Sequence, residues 1–139
     1  MKKSSDDDLV KVNDKLYPCT LSVAMDLVGG KWKVVILYYL KDGEKRYSEL
    51  KRDLYGVTEM TLSLQLKQLE NDGLISRHVF GDKPPIKVIY KLTEFGKTFD
   101  PVLSAIRLWG NHIVEEMGEF IRRDNEIDAT TRKDIKLTI

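Results

Sequence analysis

The stretch Thr58-Glu59-Met60-Thr61-Leu62-Ser63-Leu64-Gln65-Leu66-Lys67-Gln68-Leu69-Glu70-Asn71-Asp72-Gly73 narrows most what this chain can fold into. Leu62, Leu66 and Leu69 recur at i, i+4 and i+7, which is one face of an amphipathic helix. Thr58 stands where an N-cap belongs, since its hydroxyl can accept a hydrogen bond from an amide of the first turn. Gly73 stands where a helix should stop. Two short alternating runs follow at once, Ile75–Phe80 and Ile86–Leu92, joined by the tip Gly81-Asp82-Lys83-Pro84-Pro85. Few folds pass from a capped helix into a two-stranded ribbon so abruptly.

The segments before this run supply more helices. Leu21, Ala24, Met25 and Val28 share a face of a first helix starting near Thr20 and ending at Gly29-Gly30. Trp32, Val35, Ile36, Tyr39 and Leu40 mark a second over about 31–40, broken by Asp42-Gly43. Ser48 is expected to cap a short third helix holding Leu50 and Leu54 and closed by Gly56. In the second strand Ile86, Val88, Tyr90 and Leu92 should face inward and Lys87, Ile89 and Lys91 outward. Thr93 then caps a helix that restarts at Asp100-Pro101, with the aspartate as cap and proline in the first turn. The expected fold is α+β, mainly α: a winged helix-turn-helix with terminal dimerisation helices. A helix of this kind fits the major groove of DNA, and a ribbon reaches the neighbouring backbone.

Length and composition agree. A chain of 139 residues predicts a single domain with a real core. At 42% hydrophobic and 32% charged residues, with no long apolar run, it reads as a soluble, cytoplasmic protein with no membrane partner. The polar start predicts no signal peptide. One cysteine, Cys19, excludes an intrachain disulfide and suits a reducing compartment. Residues 1–14, with Asp6-Asp7-Asp8, are expected to be a disordered arm, 15–123 the domain with its C-terminal dimerisation helix, and 124–139 a polar tail in which Ile135, Leu137 and Ile139 hint at a short strand.

The net charge of +1 is unevenly spread. Residues 31–91 hold 12 basic and 8 acidic side chains, while 1–30 hold 4 and 5, and 92–139 hold 7 and 9. Positive charge therefore concentrates in the segment that would meet phosphates. With the leucines inward, Met60, Leu64, Lys67 and Gln68 point outward, flanked by Thr61 and Ser63, while Gln65 lies nearer the inner edge. Thr58 and Thr61 occupy the first turn, where amides can also meet phosphate. Lys67 suits phosphate or guanine and Gln68 an adenine edge. Met60 and Leu64 suit thymine methyls or, alternatively, a protein contact. Arg46, Lys51 and Arg52 beside the third helix, and Lys83 and Lys87 in the wing with Arg77 and His78 behind them, are candidate phosphate contacts that position without reading sequence.

After Pro101 a stripe of Val102, Ile106, Trp109, Ile113, Met117 and Phe120 recurs by threes and fours. It must be buried either on its own domain or against a second copy, and a homodimer would match a palindromic site. Leu21 and Met25 of the first helix join the stripe as candidate interface residues. Cys19 precedes that helix, where the dipole favours a thiolate, so it is either a reactive thiol or a small buried hydrophobe. No enzyme is expected. Cys19 has only His78 and His112 as candidate partners, and no metal cluster, cofactor site or phosphate loop stands out. The rival reading is a winged helix that binds protein and not a specific DNA sequence.

The chain resembles the HxlR-type family of bacterial winged-helix transcriptional regulators over roughly Pro18 to Glu116. The resemblance rests on Cys19, Gly29-Gly30-Lys31-Trp32-Lys33, Arg46-Tyr47-Ser48-Glu49-Leu50-Lys51, the run Gln65 to Ile75, Pro84-Pro85, Tyr90-Lys91-Leu92-Thr93-Glu94 and Trp109-Gly110. It implies a dimeric DNA-binding repressor or activator paired through its N-terminal and C-terminal helices, in part of the family with a cysteine here that senses oxidants or electrophiles. Met60 and Leu64 depart from the basic and polar residues usual there, and Ile86 is an extra wing residue.

Overall fold

A computed structural model describes residues 8–123, so the tail from residue 124 onward, with its hinted strand, lies outside the described residues. The described chain divides into two units between Lys97 and Thr98. The first unit runs β1 (Val10–Val12), β2 (Lys15–Tyr17), α1 (Thr20–Val28), α2 (Lys33–Leu40), β3 (Lys45–Arg46), α3 (Tyr47–Asp53), α4 (Glu59–Asn71), β4 (Ile75–Phe80), β5 (Lys87–Leu92) and α5 (Glu94–Lys97). The second contains α6 (Asp100–Met117).

The first unit's core is aliphatic. Ile36, Leu37 and Leu40 of α2 are buried, as are Leu50 and Leu54 around α3, Leu62, Leu66 and Leu69 of α4, and Ile75 and Tyr90 of the sheet. Each leucine so buried stabilises by about 1.5–3 kcal/mol relative to an exposed one. Helix α4 keeps its expected ends: the Thr58 hydroxyl accepts from the Thr61 amide at 3.1 Å, and Gly73 follows at φ +79°.

The sheet has the order β3-β5-β4, all antiparallel, with Arg46 opposite Ile89 and Ile89 opposite His78. Because β5 is central, Ile89 is buried along with Tyr90, and the expectation that it faces outward fails. A strand paired on both edges and covered on both faces loses the simple alternation of a half-buried one.

Three boundaries also differ. The first 14 residues do not all form a disordered arm: Val10 pairs with Tyr17 across a two-residue turn in which Asn13 and Asp14 both have positive φ. That is hairpin-turn geometry, and asparagine and aspartate are the non-glycine residues that tolerate it best. Helix α3 starts one residue before Ser48, with Arg46 as N-cap and the Glu49 carboxylate accepting from the Arg46 amide at 2.9 Å. The cap of α6 is Phe99, with Asp100 and Pro101 already inside the helix. An aspartate in the first turn still favours the positive end of the helix dipole.

Candidate nucleic-acid interface

Packing of the three leucines sets what α4 shows to solvent. Met60 is 83% exposed and Leu64 53%, and Glu59, Ser63 and Lys67 are exposed beside them. Thr61 is half-buried, its Oγ1 accepting from the Thr58 hydroxyl at 3.0 Å, so the two threonines lock the first turn. Gln65 and Gln68 are both half-buried, and the expected distinction between an inner Gln65 and an outer Gln68 does not hold.

The helix is fixed to its predecessor by a residue that helical spacing passed over. Tyr47, at the start of α3, donates its hydroxyl to the Glu59 carbonyl at 3.3 Å and lies 3.2 Å from Ser63 Oγ. It thereby spans the turn between α3 and α4 and orients Ser63 on the exposed face. Tyr47 stands inside the Arg46-to-Lys51 run that carries the family resemblance, which was the available signal. Helix α3 is itself tied to β3 by Lys45, whose ammonium meets Asp53 at 2.9 Å, with the Tyr39 ring centroid 5.9 Å away. The Asp53 hydrogen bond raises the Lys45 pKa above its ordinary value.

The expected cations fall on three elements. Arg46 is exposed where β3 passes into α3, Arg52 is exposed on α3, and Lys51 is half-buried on the same helix. Lys83 is exposed in the wing tip and Lys87 at the start of β5, opposite Phe80. Arg77 and His78 are exposed on β4, with the His78 ring nitrogen Nε2 3.0 Å from Ser76 Oγ. The wing also exposes Val79, Phe80 and Ile86, an apolar group that the strand reading had turned inward or left out.

Cys19 is the N-cap residue of α1 and is half-buried. The Ser22 hydroxyl lies 3.4 Å from its Sγ. That hydroxyl first, and the Ser22 amide after it, hold the thiol below its ordinary pKa; burial opposes them, and the Leu21 amide adds the smallest lowering effect. One turn further on, Asp26 accepts the Tyr17 hydroxyl at 2.5 Å and meets Lys15 at 3.8 Å, which fastens the β1–β2 hairpin to α1. Lys33, buried in the first turn of α2, adds its charge to those that lower the Asp26 pKa.

Of the residues expected at a dimer contact, Leu21 and Met25 are exposed on α1. On α6, Val102, Ile106, Trp109, Ile113 and Met117 are all exposed, and Leu103 is the buried residue of that helix. Among the described residues no cluster of three His, Cys, Asp or Glu side chains could hold a metal ion, and no helix is long and apolar enough to cross a membrane.

Residues 27–118 match the model of the HxlR-like helix-turn-helix family. The chain belongs to that family. It is 44% identical over 98 residues to YdeP of Bacillus subtilis strain 168, an HTH-type transcriptional regulator, covering 70% of this chain and 76% of that one. Among solved structures, the redox regulator HypR in its oxidised form is 40% identical with a TM-score of 0.64, over 68% of this chain and 96% of HypR. Diamide-treated YodB from B. subtilis is 30% identical with a TM-score of 0.56, over 73% of this chain and 97% of YodB.

Proposed function

We propose that this chain is a dimeric, sequence-specific, DNA-binding transcriptional regulator of the cytoplasm that responds to oxidants or electrophiles through Cys19. The observation that carries the reading is α4: a Thr58-capped helix, clamped by Tyr47, that buries Leu62, Leu66 and Leu69 and presents Met60, Ser63, Leu64 and Lys67 to solvent. Such a helix enters the major groove with its N-terminal residues leading. Thr61, Ser63, Leu64 and Gln68 then meet base edges, with Met60 and Leu64 against thymine methyls, while Thr58 and Lys67 reach phosphate or guanine. Arg46, Lys51, Arg52, Lys83 and Lys87 hold the backbone and set the register.

Two copies pair through the exposed stripe of α6, with Leu21 and Met25 of α1 contributing, and a two-fold dimer reads a palindrome. Half-sites about 34–36 Å apart, or a multiple of that, follow from the DNA helical repeat. With one cysteine per chain, the Cys19 disulfide forms across the dimer or with a small thiol. Two thiols lose two electrons and two protons, which the oxidant accepts. An electrophile instead takes the Cys19 thiolate directly.

Selection from a random DNA pool, followed by affinity measurements across a salt series, tests the reading. A log–log salt slope proportional to the number of phosphate contacts is expected. Arg46→Ala or Lys87→Ala should lower that slope by roughly one with base preference kept. Thr61, Leu64 and Gln68 substitutions should change the preferred bases. A pool yielding no enriched sequence, with saturable protein binding through Met60 and Leu64 instead, would establish the protein-interaction reading.

A further inference from the structure

Hydrogen-bond polarity runs in one direction across the contact between α3 and α4. A tyrosine hydroxyl carries one proton, and a backbone carbonyl can only accept. Tyr47 therefore commits its proton to Glu59, whose carbonyl oxygen lies 3.3 Å from the hydroxyl. Ser63 Oγ lies 3.2 Å from the same hydroxyl, and with the Tyr47 proton already committed the serine is the donor there. The serine proton then points back toward α3, and the lone pairs of Oγ are what remains. Ser63 is exposed on α4 while Tyr47 is half-buried behind it, so those lone pairs are what the helix offers to a ligand.

A neighbouring hydroxyl shows the contrast. Thr61 Oγ1 accepts the Thr58 proton at 3.0 Å and keeps its own, so it can donate as well as accept. A serine whose proton is not held turns its hydroxyl to suit either kind of partner. Held by Tyr47, Ser63 presents acceptor character alone. In the major groove the matching donors are the amino groups, N6 of adenine and N4 of cytosine. Guanine offers O6 and N7 there and thymine offers O4, all of them acceptors.

We propose that Tyr47 makes Ser63 an acceptor-only reader, which selects adenine or cytosine through the exocyclic amino group on the strand it meets and rejects guanine and thymine. This rests on the DNA-binding reading above and names the chemical group that one side chain of α4 recognises. Tyr47 touches no base and acts through Ser63 as a positioning residue. Lone pairs of Oγ set against a keto oxygen or N7 repel, so the fixed polarity discriminates against the wrong base as well as favouring the right one.

The test uses the full-length chain and the DNA that it selects from a random pool. Ser63→Ala should lose the preference at one base position of each half-site and keep the rest of the selected sequence. At that position the wild type should show adenine or cytosine on one strand. Replacing that base by its analogue with hydrogen in place of the amino group should weaken wild-type binding about tenfold, the scale of one base contact. Ser63→Ala should bind the two oligonucleotides alike. Tyr47→Phe releases the serine proton and should shrink the tenfold discrimination to less than about threefold. The double variant, Tyr47→Phe with Ser63→Ala, separates this from a shift of α4: its base preference should equal that of Ser63→Ala alone, because Tyr47 acts through the serine. Circular dichroism will show that each variant is folded, and the analogue comparison between wild type and Ser63→Ala stands without Tyr47→Phe. Guanine or thymine at the position that Ser63 controls would overturn the proposal and leave DNA binding standing. So would a Ser63→Ala variant with every base preference kept, or a folded Tyr47→Phe variant with full dependence on the amino group. A wild-type protein that selected no sequence would overturn it together with the reading on which it rests.

Discussion

The Tyr17 hydroxyl donates a 2.5 Å hydrogen bond to Asp26 Oδ2, joining the N-terminal hairpin to α1 two residues from Cys19. The bond holds the Asp26 carboxyl below its ordinary pKa, helped by the charges of Lys15 and Lys33 and opposed by burial. It raises the Tyr17 phenol above its ordinary value for the same reason. The two shifts limit the contact at opposite ends of the pH scale. Asp26 contributes stability above about pH 4, and this is lost as pH falls through its lower folded value. Tyr17 contributes below about pH 10, and this is lost as pH rises through its higher folded value. The hairpin should therefore stay docked across the neutral range and detach at both extremes, followed by the NMR shifts of the Tyr17 ring and the Asp26 side chain. Tyr17→Phe should detach it at neutral pH with the remaining core intact. A hairpin whose shifts ignore pH and this substitution would owe its position to other contacts.

Gly96 is required by space. A Cβ there would collide with the backbone carbonyl of Leu74, which already accepts from the Thr93 amide at 3.1 Å. Thr93 closes the same knot, its hydroxyl donating to the Gly73 carbonyl at 2.6 Å and accepting from the Gly96 amide at 2.9 Å. Backbone on both sides cannot swing away as a side chain would. Gly96→Ala should destabilise by about 1–3 kcal/mol in denaturant unfolding, the usual cost of forcing extra atoms into a packed site. An unchanged midpoint would mean that α5 shifts freely.

The elements legible in the sequence were those whose signals are local. The Leu62, Leu66 and Leu69 spacing with Thr58 and Gly73 at its ends marks α4, because periodicity and capping act within a few residues. Strand β3 was hidden, since Lys45 and Arg46 carry no strand pattern and are defined only by pairing with Tyr90 and Ile89 more than forty residues on. The β1–β2 hairpin was hidden differently: Asn13 and Asp14 are turn formers, yet they stand in a charged stretch whose composition resembles an unstructured arm. At the candidate interface, exposure of Met60 and Leu64 was readable from a helical wheel. The Tyr47 clamp was not, because it depends on where α3 meets α4 in space.

Assembly through α6 separates from folding in one substitution. Trp109 is 67% exposed in the single chain, so Trp109→Ala should leave the circular dichroism spectrum of one chain nearly unchanged. If the aromatic is buried between two copies, the same change should weaken their association by about 2 kcal/mol or more, as central aromatic anchors do. Sedimentation over a concentration series reads the difference, and ending the chain after Pro101 should abolish pairing through this stripe. A truncated chain that still sediments as a well-behaved dimer would give the α6 stripe another purpose.

The Cys19 reading turns on Ser22. The Ser22 hydroxyl is the largest influence holding the Cys19 thiol below its ordinary pKa, so the rate of alkylation by iodoacetamide should reach half its maximum at a lower pH than for a free cysteine. Ser22→Ala should move that midpoint upward, because it removes a group that favours the thiolate without adding charge. Reactivity at neutral pH falls with the thiolate fraction, and sensitivity of DNA binding to diamide should fall with it. Cys19→Ser should bind the selected DNA with wild-type affinity and ignore diamide entirely. The expected route is indirect: if two copies pair through Leu21 and Met25, an adduct at the N-cap of α1 should change that pairing and re-aim both α4 helices out of register with successive major grooves. A thiol that reacts only after unfolding, in a protein whose DNA affinity diamide leaves unchanged, would make Cys19 a structural residue of the α1 cap.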